Sequence, residues 1–165
     1  MKNRLTAPFK RFARNDDGAV IVEFGLVMPF MLLLFAATVE AAHLMWSYQS
    51  VIAGVRDANR YLSRVTPVDI CTSGGSVAGL ATTLKDIVED DKDASILFPA
   101  SITVNSVTPS LSCVSGAYRV NPAPVGTVSA NITVQFPLGS ILSLFGDGLS
   151  SVTTDVSDTS RIFGQ

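Results

Sequence analysis

Between Ala19 and Trp46 almost every position is apolar, broken only by Glu23, Glu40 and His43, and Phe24 to Val39 carries no charge. About 20 apolar residues at 1.5 Å per residue cross the bilayer hydrocarbon, so this run predicts a membrane helix. Past Trp46 the pattern becomes amphipathic. Val51, Val55, Ala58 and Leu62 recur at three- and four-residue steps, while Arg56, Arg60 and Arg64 step by four along another face. The two patterns predict one helix from Ala19 to Arg64, about 69 Å long. Thr66-Pro67 ends it, because the residue before a proline is pushed out of the helical region. Gly54 is its expected weak point, and Pro29 is expected to bend or locally unwind it by removing a backbone bond.

A loop carrying Cys71 and Gly74-Gly75 is expected next. Val77, Leu80, Leu84, Ile87 and Val88 then predict a second amphipathic helix with Ser76 as N-cap. From Ser101 the chain turns to Ser, Thr and Val with Pro breaks, which is strand and turn chemistry. Ile102, Val104 and Ser106 alternate, Ala117 to Val120 is expected as a short strand, and Asn121-Pro122-Ala123-Pro124 as a turn. Val128, Ala130, Ile132, Val134 and Phe136 form the clearest alternation in the chain, so this strand is expected at the centre of a small antiparallel sheet. Leu138 to Phe145 reads as a short helix or a covering loop, Gly146-Asp147-Gly148 as a turn, and Val152 to Val156 as the last strand. The fold class is therefore α+β: a long N-terminal membrane and amphipathic helix, then a small antiparallel β head with a short second helix.

Composition sharpens this picture. The 165 residues are 47% hydrophobic and only 16% charged, with a mean hydropathy of +0.38, too apolar for an ordinary soluble domain. Five of the 12 Lys and Arg (Lys2, Arg4, Lys10, Arg11, Arg14) precede residue 19, and the rest of the chain is acidic. No basic cluster lies outside this leader, which argues against nucleic acid as a partner, since that binding rests on phosphate neutralisation. By the positive-inside rule the leader places the N-terminus in the cytoplasm and the last hundred residues outside. Cleavage of the apolar run as a secretory signal, at the small residues Ala36, Ala37, Ala41 and Ala42, is the competing reading.

An extracytoplasmic compartment is oxidising, which makes Cys71 and Cys113 a candidate disulfide, with two unrelated buried thiols as the alternative. Closing its loop of about 43 residues is worth about 4 kcal/mol in the chain-entropy model. Glu40 and His43 share a helix face and are read as an interfacial pair beside the aromatic belt of Trp46 and Tyr48. The acidic run Glu89 to Asp93 lacks the spaced oxygens and central Gly of a calcium loop and reads as a solvated turn. Asn131-Ile132-Thr133 is a glycosylation triplet by accident, since it sits mid-strand. The single His and the isolated cysteines leave no zinc spacing and no His-based triad. No cofactor is expected, and the chain is not expected to be an enzyme.

At the junction of leader and helix, Gly18 is followed by four apolar residues and then by Glu23-Phe24. A carboxylate at the mouth of a membrane helix is costly and needs an offset. Cleavage after Gly18 would create an α-amine on Ala19 one helical turn from Glu23, or next to the Glu23 of a neighbouring chain; pairing with Arg14, or protonation, is the alternative. This arrangement resembles the processing site of type IV prepilin-like proteins. Together with a helix ending Arg56-Asp57-Ala58-Asn59-Arg60-Tyr61-Leu62 and a Ser/Thr-rich β head with two cysteines, it resembles the TadE-like pseudopilins of the tight adherence (Tad, Flp-type) pilus system.

The resemblance implies a basic leader over residues 1–18, a transmembrane and amphipathic helix over 19–65, and a disulfide-containing extracytoplasmic α+β head over 66–165. It implies cleavage between Gly18 and Ala19 by a prepilin peptidase. Glu23 then pairs with the α-amine of an adjoining subunit, and Phe24 serves recognition or packing. The implied partners are pilin and other pseudopilin subunits, the inner-membrane pilus assembly platform and membrane lipid. The implied place is the bacterial inner membrane, crossed once, with incorporation into the pilus. Arg56, Arg60 and Arg64 are either a docking face or a solvated one. The alternative function is a signal-anchored, monomeric envelope binding protein with an unprocessed N-terminus. A periplasmic hydrolase would need catalytic groups that the head, with no His and no paired acids, does not offer.

Overall fold

The computed structural model describes residues 17–90, 101–142 and 150–164. Helix α1 runs Asp17–Val65, and the chain divides into two compact units, one up to Val39 and the other from Glu40. In the first unit α1 carries its apolar side chains outward: Val20, Ile21, Leu26, Phe30, Leu34 and Phe35 are all well exposed. A helix apolar all round, with no protein to bury it, is suited to lipid or to other helices. The expected unwinding at Pro29 does not occur; the helix continues through it. One missing N–H bond in a long helical ladder does not break it.

In the second unit α1 is one-sided. Val51, Val55, Ala58 and Leu62 are fully buried, with Asn59 beside them, whereas Arg56, Arg60 and Arg64 face solvent. The buried row packs on a three-stranded antiparallel sheet ordered β1 (Ile102–Val114), β2 (Ala123–Gln135), β3 (Ser151–Arg161). The central position of β2 follows from its alternation: Val128, Ala130, Ile132 and Val134 are fully buried against the helix, and their neighbours in sequence face outward. At Gly126 a Cβ would lie 2.9 Å from Leu62 Cδ2, so the glycine lets the helix approach the sheet.

Both outer strands are longer than the alternation in sequence suggested, because Ser and Thr positions pair as well as Val positions do. Asn105 is an extra residue in β1, where the register to β2 shifts between Val104 and Ser106. The bulge turns Asn105 onto the outer face, where its Nδ2 donates to Asn131 Oδ1 (2.7 Å) and Thr133 Oγ1 (2.9 Å). On that face Thr127 pairs with Thr159 and Thr133 with Thr153, both at 2.9 Å across β2 and β3.

Several local expectations are corrected. Cys71 lies in a one-turn helix, α2 (Ile70–Ser73), rather than in a loop; Gly74 ends it at φ 72°, a left-handed conformation that favours glycine. The second amphipathic element is a 3₁₀ turn, Ala78–Leu80, leading into α3, Ala81–Glu89. Ser76 Oγ accepts from the Ala78 N–H (3.2 Å) and so caps the 3₁₀ turn, not α3. Ala117 to Val120 forms bends, not a strand, while Ala123 and Pro124 already belong to β2. The expected short helix near Leu138 is the single turn α4, Gly139–Leu142. The leader to Asp16, the Asp91–Asp93 part of the acidic run and the Gly146-Asp147-Gly148 turn lie outside the described residues.

Candidate functional site

Gly18 and Ala19 sit in the first turn of α1, and Glu23 lies one turn beyond Ala19 on the same face. Glu23 is exposed and makes no ion pair among the described residues. Phe24 is 62% exposed, in line with the apolar side chains that follow it. Among the described residues no side chain forms an ion pair with the carboxylate, so any neutralising charge must come from outside them.

Glu40 and His43 each bond to the head. Glu40 is buried and its Oε1 accepts the Leu138 N–H just before α4. His43 Nε2 and Ser101 Oγ share a hydrogen bond at 3.0 Å at the entry to β1. Two of the three residues that break the apolar run therefore fasten α1 to the start of β1 and to the chain after β2. Their partners lie 58 and 98 residues away, which no local pattern reports.

The cysteines are joined: Cys71 in α2 and Cys113 in β1 form a disulfide with Cα atoms 5.8 Å apart. It ties the segment after α1 to the far end of β1. Arg56, Arg60 and Arg64 are exposed. Arg60 pairs with Asp57 at 3.0 Å, a surface contact worth little on its own. Arg56 and Arg64 form no ion pair among the described residues.

A groove that the sequence did not announce runs between α1 and β3. Its cavity of about 290 Å³ is lined by Tyr48, Ile52, Val55, Arg56 and the stretch Asp155 to Asp158. One wall is fixed by Asn59 Nδ2, which donates to Asp158 Oδ2 at 2.8 Å. A fully buried Asn in the row of Val55 and Leu62 was the signal for such a partner, since a buried amide is retained where it is hydrogen-bonded. Arg161 lies over the Tyr118 ring at 5.9 Å, at the other end of β3. Among the described residues no three His, Cys, Asp or Glu side chains gather as metal ligands.

No curated protein and no solved structure matches the chain. The helix does have a relative: residues 18–60 match the family model of TadE-like proteins, a match that starts at Gly18 and includes Glu23, Phe24, Arg56 and Arg60. It covers the exposed apolar part of α1 and most of its sheet-packed part, and over these residues the chain is similar to TadE-like proteins.

Proposed function

We propose that the chain is a pseudopilin, or minor-pilin-like subunit, used to assemble a Tad-type adhesion pilus. A prepilin peptidase cuts after Gly18, and the new Ala19 amine pairs with Glu23 of an adjoining subunit. α1 anchors the chain in the bacterial inner membrane with its N-terminus in the cytoplasm and its head outside. Its partners are pilin and other pseudopilin subunits and the assembly platform, and its work is packing rather than catalysis. The observation that carries this reading is the exposed Glu23, without an ion pair among the described residues, five residues after Gly18 at the start of an exposed apolar helix. A buried ammonium–carboxylate pair between chains neutralises both charges where water is scarce.

The test is the mature N-terminus, read by mass spectrometry of membranes from cells with and without prepilin peptidase. A peptide beginning at Ala19 that disappears without the peptidase is expected. A chain that keeps its leader in both would make it a signal-anchored envelope protein, and a start near Ala41 to His43 would make it a secreted head.

A further inference from the structure

Two hydrogen bonds hold part of the head beside the end of the apolar run. Glu40 is buried and follows directly on Val39, the last residue of the uncharged stretch from Phe24. Its Oε1 accepts the Leu138 N–H. Three residues further on, His43 Nε2 and Ser101 Oγ are 3.0 Å apart. Leu138 therefore stands within a side chain's length of the point where the uncharged stretch stops, and Ser101 within about a helical turn of it. The covalent chain and these bonds set that level, whatever the angle at which the stretch leaves the head.

The chain at this level carries little charge. The turn after β2, Pro137-Leu138-Gly139-Ser140-Ile141-Leu142, has no charged residue; it is closed by the Gly139 N–H donating to the Phe136 carbonyl at 3.0 Å and runs into α4. At the adjoining end of the sheet Ile102 pairs with Val134, and Gln135 with Ser151, again without a charge. On α1 no Lys, Arg, Asp or Glu lies between Glu40 and Arg56. Met45 and Trp46 are 63% and 69% exposed there, and Trp46 stands about 9 Å along the helix from Glu40. The head does not cover these two side chains. The headgroup zone, which extends about 5–7 Å beyond the hydrocarbon on each side and favours Trp, suits them.

We propose that the turn Pro137 to Leu142 rests in the lipid interface, as a second and shallow contact of the head with the membrane that α1 crosses. The proposal rests on the anchoring reading above, which puts Phe24 to Val39 in the hydrocarbon. Glu40 then lies at the edge of the hydrocarbon, and a residue hydrogen-bonded to it cannot stand clear of the headgroups. An uncharged turn with Leu and Ile loses little by leaving water for the glycerol level of the lipid. Contact at α1 and at the turn restricts how far the head tilts on the membrane.

The test uses the full chain in vesicles of phosphatidylethanolamine and phosphatidylglycerol. These carry a trace of phosphatidylcholine with a diazirine at the glycerol end of its acyl chain, and lipid adducts are mapped by mass spectrometry after illumination. Adducts are expected on Phe24 to Val39 and on Pro137 to Leu142, and not around Tyr118, which is exposed at the opposite end of the sheet. Leu138→Asn keeps the N–H that Glu40 accepts and should lower the yield at Pro137 to Leu142 about tenfold, with the adducts on Phe24 to Val39 unchanged. The variant must keep the disulfide and the parent's urea transition; the map on the unsubstituted chain needs no variant. Adducts on Phe24 to Val39 without any on Pro137 to Leu142, equal labelling around Tyr118, or a yield untouched by Leu138→Asn would overturn the lipid contact and leave the anchoring standing. Adducts at neither place would overturn both, and adducts on Pro137 to Leu142 alone would keep the contact and remove the crossing.

Discussion

The stretch of α1 up to Val39 and the stretch from Glu40 follow one another without a break, yet they obey different rules. The most apolar window of the helix has a mean hydropathy of 2.4, and only 6% of it is buried in the protein. From Glu40 on, hydropathy falls while burial rises, because one row of Val, Ala and Leu meets the sheet. Hydrophobicity alone thus does not mark the core of this molecule. Periodicity does: an apolar stripe at three- and four-residue steps finds a partner inside the chain, and an apolar cylinder does not. The difference assigns folding energy to the second stretch and leaves the first for lipid or neighbouring helices.

Substitutions can break that division. The largest effect expected is on assembly. If Glu23 pairs with a neighbour's Ala19 amine, Glu23→Ala leaves a buried charge unmatched at a cost of about 3–5 kcal/mol. Incorporation into pili should then fall at least about 100-fold, with membrane insertion intact; wild-type piliation would remove the pair. Next is the head's covalent tie. Replacing both Cys71 and Cys113 by Ser should lower stability by about 2–4 kcal/mol, read as a shifted urea midpoint of the full chain in detergent.

Leu62→Ala opens a cavity under Gly126 and Ile162 and should cost about 2–5 kcal/mol in the same assay. Asn59→Ala removes the amide from Asp158 and should cost about 1 kcal/mol. Smallest of all is Phe30→Ala in the first stretch, expected to change head unfolding by less than about 0.5 kcal/mol. A large shift there would mean that the exposed apolar stretch supports the head after all.

The extent of α1, the central place of β2 and the identity of the pairing cysteines were readable because each rests on a local rule: period, alternation or a two-member set. The lengths of β1 and β3 were not, since strands rich in Ser and Thr show little hydropathy contrast. The Asn105 bulge was hidden for the same reason; an extra residue changes register without changing composition. The helix α2 at Cys71 was missed because four residues carry no period.

By itself the chain's sequence determined that there is one long apolar helix, that its second stretch has a single buried face, and that Gly18, Glu23 and Phe24 stand together at its start. Those features follow from neighbours within a turn or two. Only the tertiary structure decided what Glu40, His43 and Asn59 do, and that α3 packs on the β1 edge of the sheet while β3 pairs only with β2 among the described residues. Their partners are 58 to 99 residues distant. Hydrogen bonds of that reach are fixed by how helix and sheet pack, and no pattern along the chain encodes them.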